Sequence, residues 1–289
     1  MIDFLESWPL FFRPYTLTLL ASAVLAVIGV VATARRQLFM AAAVAQTSLM
    51  GYAIMAFVFG AHIDGTLEAS LRDTVVILAA VLAAMITMLG SRDSQSAQGG
   101  SLDGDERTAW VYVTAGSLGV LFLAHAPAGM EQVRRLQVSS VIGATWIDLA
   151  TFALLFLGIA LLMIWLMRPL ILLLSDPVMA AAIGMKVTRW NVILAILAGL
   201  SVGLAVRSTG VLFAFGALAI PVMIAKQIAG EVRSLFLLAP LLAIMLSFTG
   251  LWLGHLWDFP PGQAAVSVMC LALLITHLAR LAWNRIGIP

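Results

Sequence analysis

Long apolar runs separated by short polar stretches set the pattern of this chain. Segments at 14–34, 38–60, 74–90, 108–126, 147–173, 188–206, 209–226, 234–256 and 264–282 are dominated by Ala, Val, Leu, Ile, Met and Phe. A helix rising about 1.5 Å per residue needs roughly 20 apolar residues to cross a hydrocarbon core. The pattern therefore predicts an all-α polytopic membrane protein with nine spanning helices. The segment 209–226 is short and carries Pro221, so eight full spans plus one broken or re-entrant segment is the competing count. No internal repeat is evident.

Two polar stretches interrupt the pattern differently. "SRDSQSAQGGSLDGDER" (91–107) is rich in Gly and Ser and predicts a flexible loop. "SDPVMAAAIGMKVTRWN" (175–191) opens on Asp-Pro and runs through small residues to Gly184. Asp176 can cap a short helix there, Pro177 fits its first position, and Gly184 fits the left-handed residue that ends it. Such an element between two spans is either a docking helix or a plain loop helix.

Arginine and lysine placement orients the spans. With the N-terminus outside and nine spans alternating, eleven basic residues fall in inside regions and five in outside regions. The outside five are Arg13, Arg72, Arg134, Arg135 and Arg207. Cytoplasmic loops carry the excess of positive charge, so this orientation is predicted, with the loop at 91–107 and the short helix on the cytoplasmic side.

Composition agrees with the bilayer reading. Of 289 residues, 62% are hydrophobic and only 10% charged, against about 25% charged in soluble proteins. A net charge of +2 without a basic run gives no support to nucleic-acid binding. The single cysteine, Cys270, excludes an internal disulfide framework and any multi-cysteine metal cage. "MIDFLESWPLFF" carries Asp3 and Glu6 and lacks a basic leader region, so the first span is expected to remain in the mature protein.

Candidate chemistry is sparse. Neither a nucleophile elbow, a zinc-protease motif nor a phosphate-binding loop occurs, so the chain is expected to be no enzyme and to hydrolyse no ATP itself. His62, His125, His255 and His277 are far apart and give no helical pair at three- or four-residue spacing. The 14 methionines could form a soft-metal path but also fill apolar packing. Intramembrane charge is costly, and Asp148, Asp258 and Arg207 all lie near span ends. The densest polar patch inside a span is Gln46, Thr47 and Ser48 in "MAAAVAQTSLMG" (40–51). It reads either as interhelical hydrogen bonding or as the lining of a translocation path. "GLSVG" (199–203) has the spacing that lets two helices approach closely.

The order of these features resembles the integral-membrane permease subunit of the ABC importers for zinc, manganese and iron. The resemblance covers nearly the whole chain as one transmembrane permease domain over 1–289, and is strongest over about 141–267. "SVIGATWIDL", "RPLILLLSDPVMAAAIGM", "VRSTGVLFAFGALAIPVMIAK" and "LWDFPPGQAAV" are similar to successive family segments, with Val178 where Glu is usual. The resemblance implies a type II ABC importer permease in the bacterial cytoplasmic (inner) membrane. It implies a coupling helix over 176–186, with Asp176, Pro177, Ala180, Gly184 and Met185 contacting an ATP-binding cassette ATPase subunit. Further implied partners are an extracytoplasmic metal-binding protein and a second permease, as homodimer or sister-chain heterodimer. ATP would be used by the partner, and the divalent metal is substrate rather than a bound cofactor.

One stretch departs from the pattern. The family commonly carries Asp and His one helical turn apart where this chain has Ala42 and Gln46, and Pro where it has Met50. Ala cannot ligate and Gln offers only a neutral oxygen, so no metal-ligating residue is assigned. Two competing readings stay open: a permease for a metal chelate or another small solute, and a non-transport membrane scaffold.

Overall fold

The computed structural model describes residues 2–59, 66–89, 104–126 and 145–286, with side chains described over 11–58, 71–89, 105–126 and 145–282. Every regular element among them is helical. In chain order they are α1 (Ile2–Ala34), α2 (Met40–Phe59), α3 (Thr66–Leu89), α4 (Gly104–His125) and α5 (Trp146–Ser175). Then follow α6 (Pro177–Ala182), α7 (Val187–Thr209), α8 (Val211–Ile228), α9 (Val232–Leu256) and α10 (Pro261–Ile286). Among the described residues, nine helices are long and apolar enough to cross a membrane, which matches the predicted count. The segment containing Pro221 is a helix of 18 residues, α8.

Span ends shift by a few residues from the apolar runs. The third span begins at Leu71 rather than 74, so it takes in Arg72 and Asp73. The loop over 91–107 lies outside the described residues as far as 103, and its last four residues belong instead to α4. Asp105 and Glu106 occupy the first turn there, where the helix dipole favours negative charge. His62, Arg92, Arg134 and Arg135 lie outside the described residues.

Two proline effects bend the long helices. Phe11 and Leu166 leave helical geometry inside α1 and α5. Each stands three residues before a proline, Pro14 and Pro169. The ring crowds the preceding turn and the missing N–H frees a carbonyl, which kinks the helix there. At the head of α5, Thr145 and Asp148 cap reciprocally: the Thr145 backbone N–H donates to Asp148 Oδ2 (3.0 Å), and the Asp148 N–H donates to Thr145 Oγ1 (3.2 Å).

The chain forms two compact units. Unit 1 comprises 1–33, 140–171 and 216–289; unit 2 comprises 34–139 and 172–215. Without water to drive apolar faces together, membrane helices associate through close packing of small residues. In unit 1 a Cβ on Gly29 would fall 2.0 Å from the Leu218 carbonyl oxygen, and one on Gly250 would fall 2.2 Å from Ala265 Cα. These glycines bring α1 onto α8 and α9 onto α10. Phe11, Tyr15, Leu251 and Trp252 pack in one hydrophobic cluster, with Phe11 stacked on Tyr15 at 5.6 Å.

Unit 2 is built around α2, which packs on α3, α4 and α7. Gly199 and Gly203 of α7 lie against α3. A Cβ on Gly199 would meet Val81 Cα at 2.5 Å, and one on Gly203 would meet Ala80 Cβ at 2.7 Å. The Gly-x-x-x-Gly spacing is therefore the α3–α7 seam. Near one end of these helices, Arg35 donates to Asn191 Oδ1 (2.5 Å) and Gln37 Nε2 donates to the Thr87 carbonyl (3.3 Å). Those bonds tie the α1–α2 connection to α7 and α3.

Candidate functional site

The short helix after the fifth span forms for local reasons. Asp176 is its N-cap: Oδ1 accepts from the N–H groups of Val178 (3.0 Å) and Met179 (2.9 Å). Pro177 occupies the first helical position, where a missing N–H costs nothing. The other end closes as a Schellman motif. The Met185 N–H donates to the Ala180 carbonyl (3.1 Å), and the Gly184 N–H donates to the Ala181 carbonyl (3.0 Å). Gly184 has φ +88, a left-handed value that glycine adopts without strain. All five residues singled out from the sequence thus belong to one capped unit. The helix proper is Pro177–Ala182, shorter than the 176–186 read from the sequence, because the capping turn takes up the residues through Met185.

Their exposure differs. Ala180 is fully buried, and α6 packs against α7. Val178, Met179 and Ile183 are 69%, 53% and 59% exposed. The outward surface of α6 is therefore apolar, and Ala180 is its anchor to the rest of unit 2.

The polar patch of α2 divides among three surroundings. Thr47 Oγ1 donates to the Ala43 carbonyl (2.8 Å) and Ser48 Oγ to the Val44 carbonyl (3.0 Å), both buried. Gln46 is half-buried and lies on the α4 side, with Oε1 3.8 Å from where a Cβ on Gly116 would stand. Ala42, Gln46 and Met50, at four-residue spacing, are each half-buried and share one face of α2. Ser48 instead borders a cavity of about 190 Å³ among α2, α3 and α7.

That cavity holds the charges the sequence reading did not join. Its polar lining is Ser48, Tyr52, Arg72, Asp73 and Arg207, against walls of Leu49, Val76 and Val206. Arg207 donates to Asp73 Oδ2 in an ion pair between α7 and α3, with each side chain 29% exposed. Arg72 Nε stands 3.9 Å from Asp73 Oδ1, and the Arg72 guanidinium lies 5.5 Å from the Tyr52 ring centre. Asp73 was missed because it falls just before the apolar run at 74–90. The available signal was an Arg-Asp pair abutting one span and an arginine at the end of another. Among the described residues, no three His, Cys, Asp or Glu side chains come together as a metal site.

Residues 7–280 match the model of the ABC 3 transport family. The chain belongs to this family. It is therefore a multi-pass membrane permease of the ABC transport class. Among relatives, it is 23% identical over 267 residues to an uncharacterized membrane protein of Cyanophora paradoxa, covering 92% of this chain and 84% of that one. It is 29% identical over 119 residues to the manganese import system permease protein ScaB of Streptococcus pneumoniae, covering 41% of this chain and 43% of that one. In fold it is similar to PsaBC from Streptococcus pneumoniae, solved in complex with Fab, with a TM-score of 0.76 and 20% identity. That alignment covers 96% of this chain and 95% of the other. An inward-facing putative metal-chelate type ABC transporter aligns with a TM-score of 0.63 and 18% identity, over 96% of this chain and 82% of that one.

Proposed function

We propose that the chain is the membrane permease of a metal-ion importer, driven by a separate ATPase that docks on α6. The observation that carries the docking is the geometry of α6. It is a short helix capped at both ends, held to unit 2 by buried Ala180 and presenting Val178, Met179 and Ile183 outward. An apolar knob of this kind fits a hydrophobic cleft on a partner. The basic-residue bias puts it on the cytoplasmic side.

α7 follows α6 after four residues and runs for 23 residues, about 34 Å of rigid rod. Movement imposed on α6 is thereby carried along α7 to the α3–α7 seam. Rigid-body rocking of packed helices is an established way of opening one side of a transporter and closing the other. ATP is bound and hydrolysed by the partner, with a second permease completing the path and an extracytoplasmic binding protein delivering cargo. The bacterial cytoplasmic membrane is the setting this implies.

Metal as cargo rests on the family and on the manganese permease among its relatives. A second reading, a metal chelate or other small solute, is favoured by Ala42 and Gln46 where Asp and His are common. The docking test is Met179→Asp with Ile183→Asp, co-expressed with the candidate partner ATPase of the importer. Both side chains face outward, so folding should survive while co-purification of the ATPase is lost. An intact complex would remove α6 as the docking element. Uptake of radioactive manganese, zinc and iron by cells carrying the gene, against its deletion, tests the cargo. No dependence on any of the three favours the second reading.

A further inference from the structure

Two hydrogen bonds of unequal strength hold the α1–α2 connection within unit 2. Arg35 Nη2 donates to Asn191 Oδ1 (2.5 Å), near the start of α7. A guanidinium donor makes a charge-assisted bond, roughly twice as strong as a neutral one. Asn191 is buried, which shields that bond from water. Gln37 Nε2 donates to the Thr87 carbonyl of α3 at 3.3 Å, a long bond between neutral groups. Gln37 Oε1 is buried and accepts from nothing. An amide satisfied on one side only is a weak fastening. The connection is therefore fixed to α7 and lightly held to α3.

Between the two fastenings stands Arg36, exposed and with φ +58. Few residues other than glycine adopt that left-handed backbone. It persists where neighbouring contacts impose it, and it gathers at switch regions. Beyond Arg36 the chain stiffens at once. The Met40 N–H donates to the Gln37 carbonyl (3.0 Å) and the Ala42 N–H to the Phe39 carbonyl (3.1 Å), so the turn runs unbroken into α2.

We propose that the Arg35–Asn191 bond is a relay, passing displacement of α6 and the base of α7 to α2. The proposal rests on the reading of α6 as the ATPase-docking element. Arg35 and Asn191 are then positioning residues, acting through α2. When the base of α7 shifts, the stronger bond draws the connection with it. The weaker Gln37–Thr87 bond yields, and the start of α2 slides on α3. The face of α2 carrying Ala42, Gln46 and Met50 moves with its helix, because a helix shifts as a rigid rod.

The test uses the full-length permease in nanodiscs with the candidate partner ATPase, read by hydrogen exchange with and without ATP. In the wild-type complex ATP should change exchange both at α6 and over 35–43. Asn191→Leu should keep co-purification of the ATPase and the response at α6, and lose the response over 35–43. Asn191→Asp keeps an acceptor for Arg35 and should restore it. Gln37→Leu removes the weaker fastening and should leave both responses in place. Size-exclusion profiles and helical circular dichroism confirm that the variants are folded. A tie that is merely structural predicts faster exchange over 35–43 in Asn191→Leu, with the ATP response retained. That result overturns the relay, as does a wild-type response confined to α6, or equal losses in Asn191→Leu and Gln37→Leu. Failure of the docking reading looks different: the ATPase does not co-purify with the wild-type protein, and the relay falls with it.

Discussion

Gly203→Ala tests the α3–α7 seam most directly. An ideal Cβ at 203 falls 2.7 Å from Ala80 Cβ, whereas carbon atoms in good contact stay about 3.5–4.0 Å apart. The helices must part locally by roughly 1 Å. Overpacking of this kind costs about 1–3 kcal/mol. Replacing glycine inside a helix returns about 1 kcal/mol of helix propensity. The net expectation is a loss of up to about 2 kcal/mol, a factor of up to roughly 30 in the folded-to-unfolded ratio. Ala80→Gly removes the opposing methyl, so the double variant exchanges the two residues across the seam and the propensity terms offset. The double-mutant cycle should show a favourable coupling of about 1–2 kcal/mol. Gly199→Ala is the internal control. Its Cβ meets Val81 backbone, Cα at 2.5 Å and N at 2.9 Å, so no side-chain truncation relieves it and Ala80→Gly should not rescue it. The assay is unfolding by sodium dodecyl sulfate titration in mixed micelles, followed by circular dichroism. Additivity of Gly203→Ala and Ala80→Gly within about 0.5 kcal/mol would refute the seam as described.

Other expectations concern α6 and α2. Asp176→Ala removes the acceptor for two N–H groups and should cost about 1 kcal/mol of local stability, with Asp176→Asn nearly neutral, read as faster hydrogen exchange at Val178 and Met179. Gly184→Ala should cost about 1–2 kcal/mol because φ is +88 while nothing lies within 4 Å of the new Cβ, so Gly184→Asn should recover part of the loss in the same measurement. Gly158→Ala, where a Cβ also meets nothing within 4 Å, should leave stability unchanged or raise it by less than about 1 kcal/mol in the detergent titration. Gln46→Leu should slow uptake without loss of assembly. Unchanged transport would return Gln46 to a packing role on α4.

Much of this protein was legible along the chain because its causes are local. Apolar length alone decides whether a segment can span, and the nine runs read from the sequence correspond to nine helices among the described residues. The caps of α6 were equally legible: Asp176, Pro177 and Gly184 act on backbone groups within three residues of themselves. Only the tertiary structure decided which faces meet. In a bilayer apolar residues surround the whole helix, so no stripe marks the inward side, and helix pairing depends on the fit of small residues across the seam. Hence the patch of Gln46, Thr47 and Ser48, one feature in the sequence, separates into an α4-facing amide, a buried self-bonded hydroxyl and a cavity wall. Ala180, read as a docking contact, is the buried anchor. Asp73 and Arg207, 134 positions apart, become partners only because Gly199 and Gly203 let α7 lie against α3. Hydropathy sets what enters the membrane; close packing of small residues sets which charges find each other there.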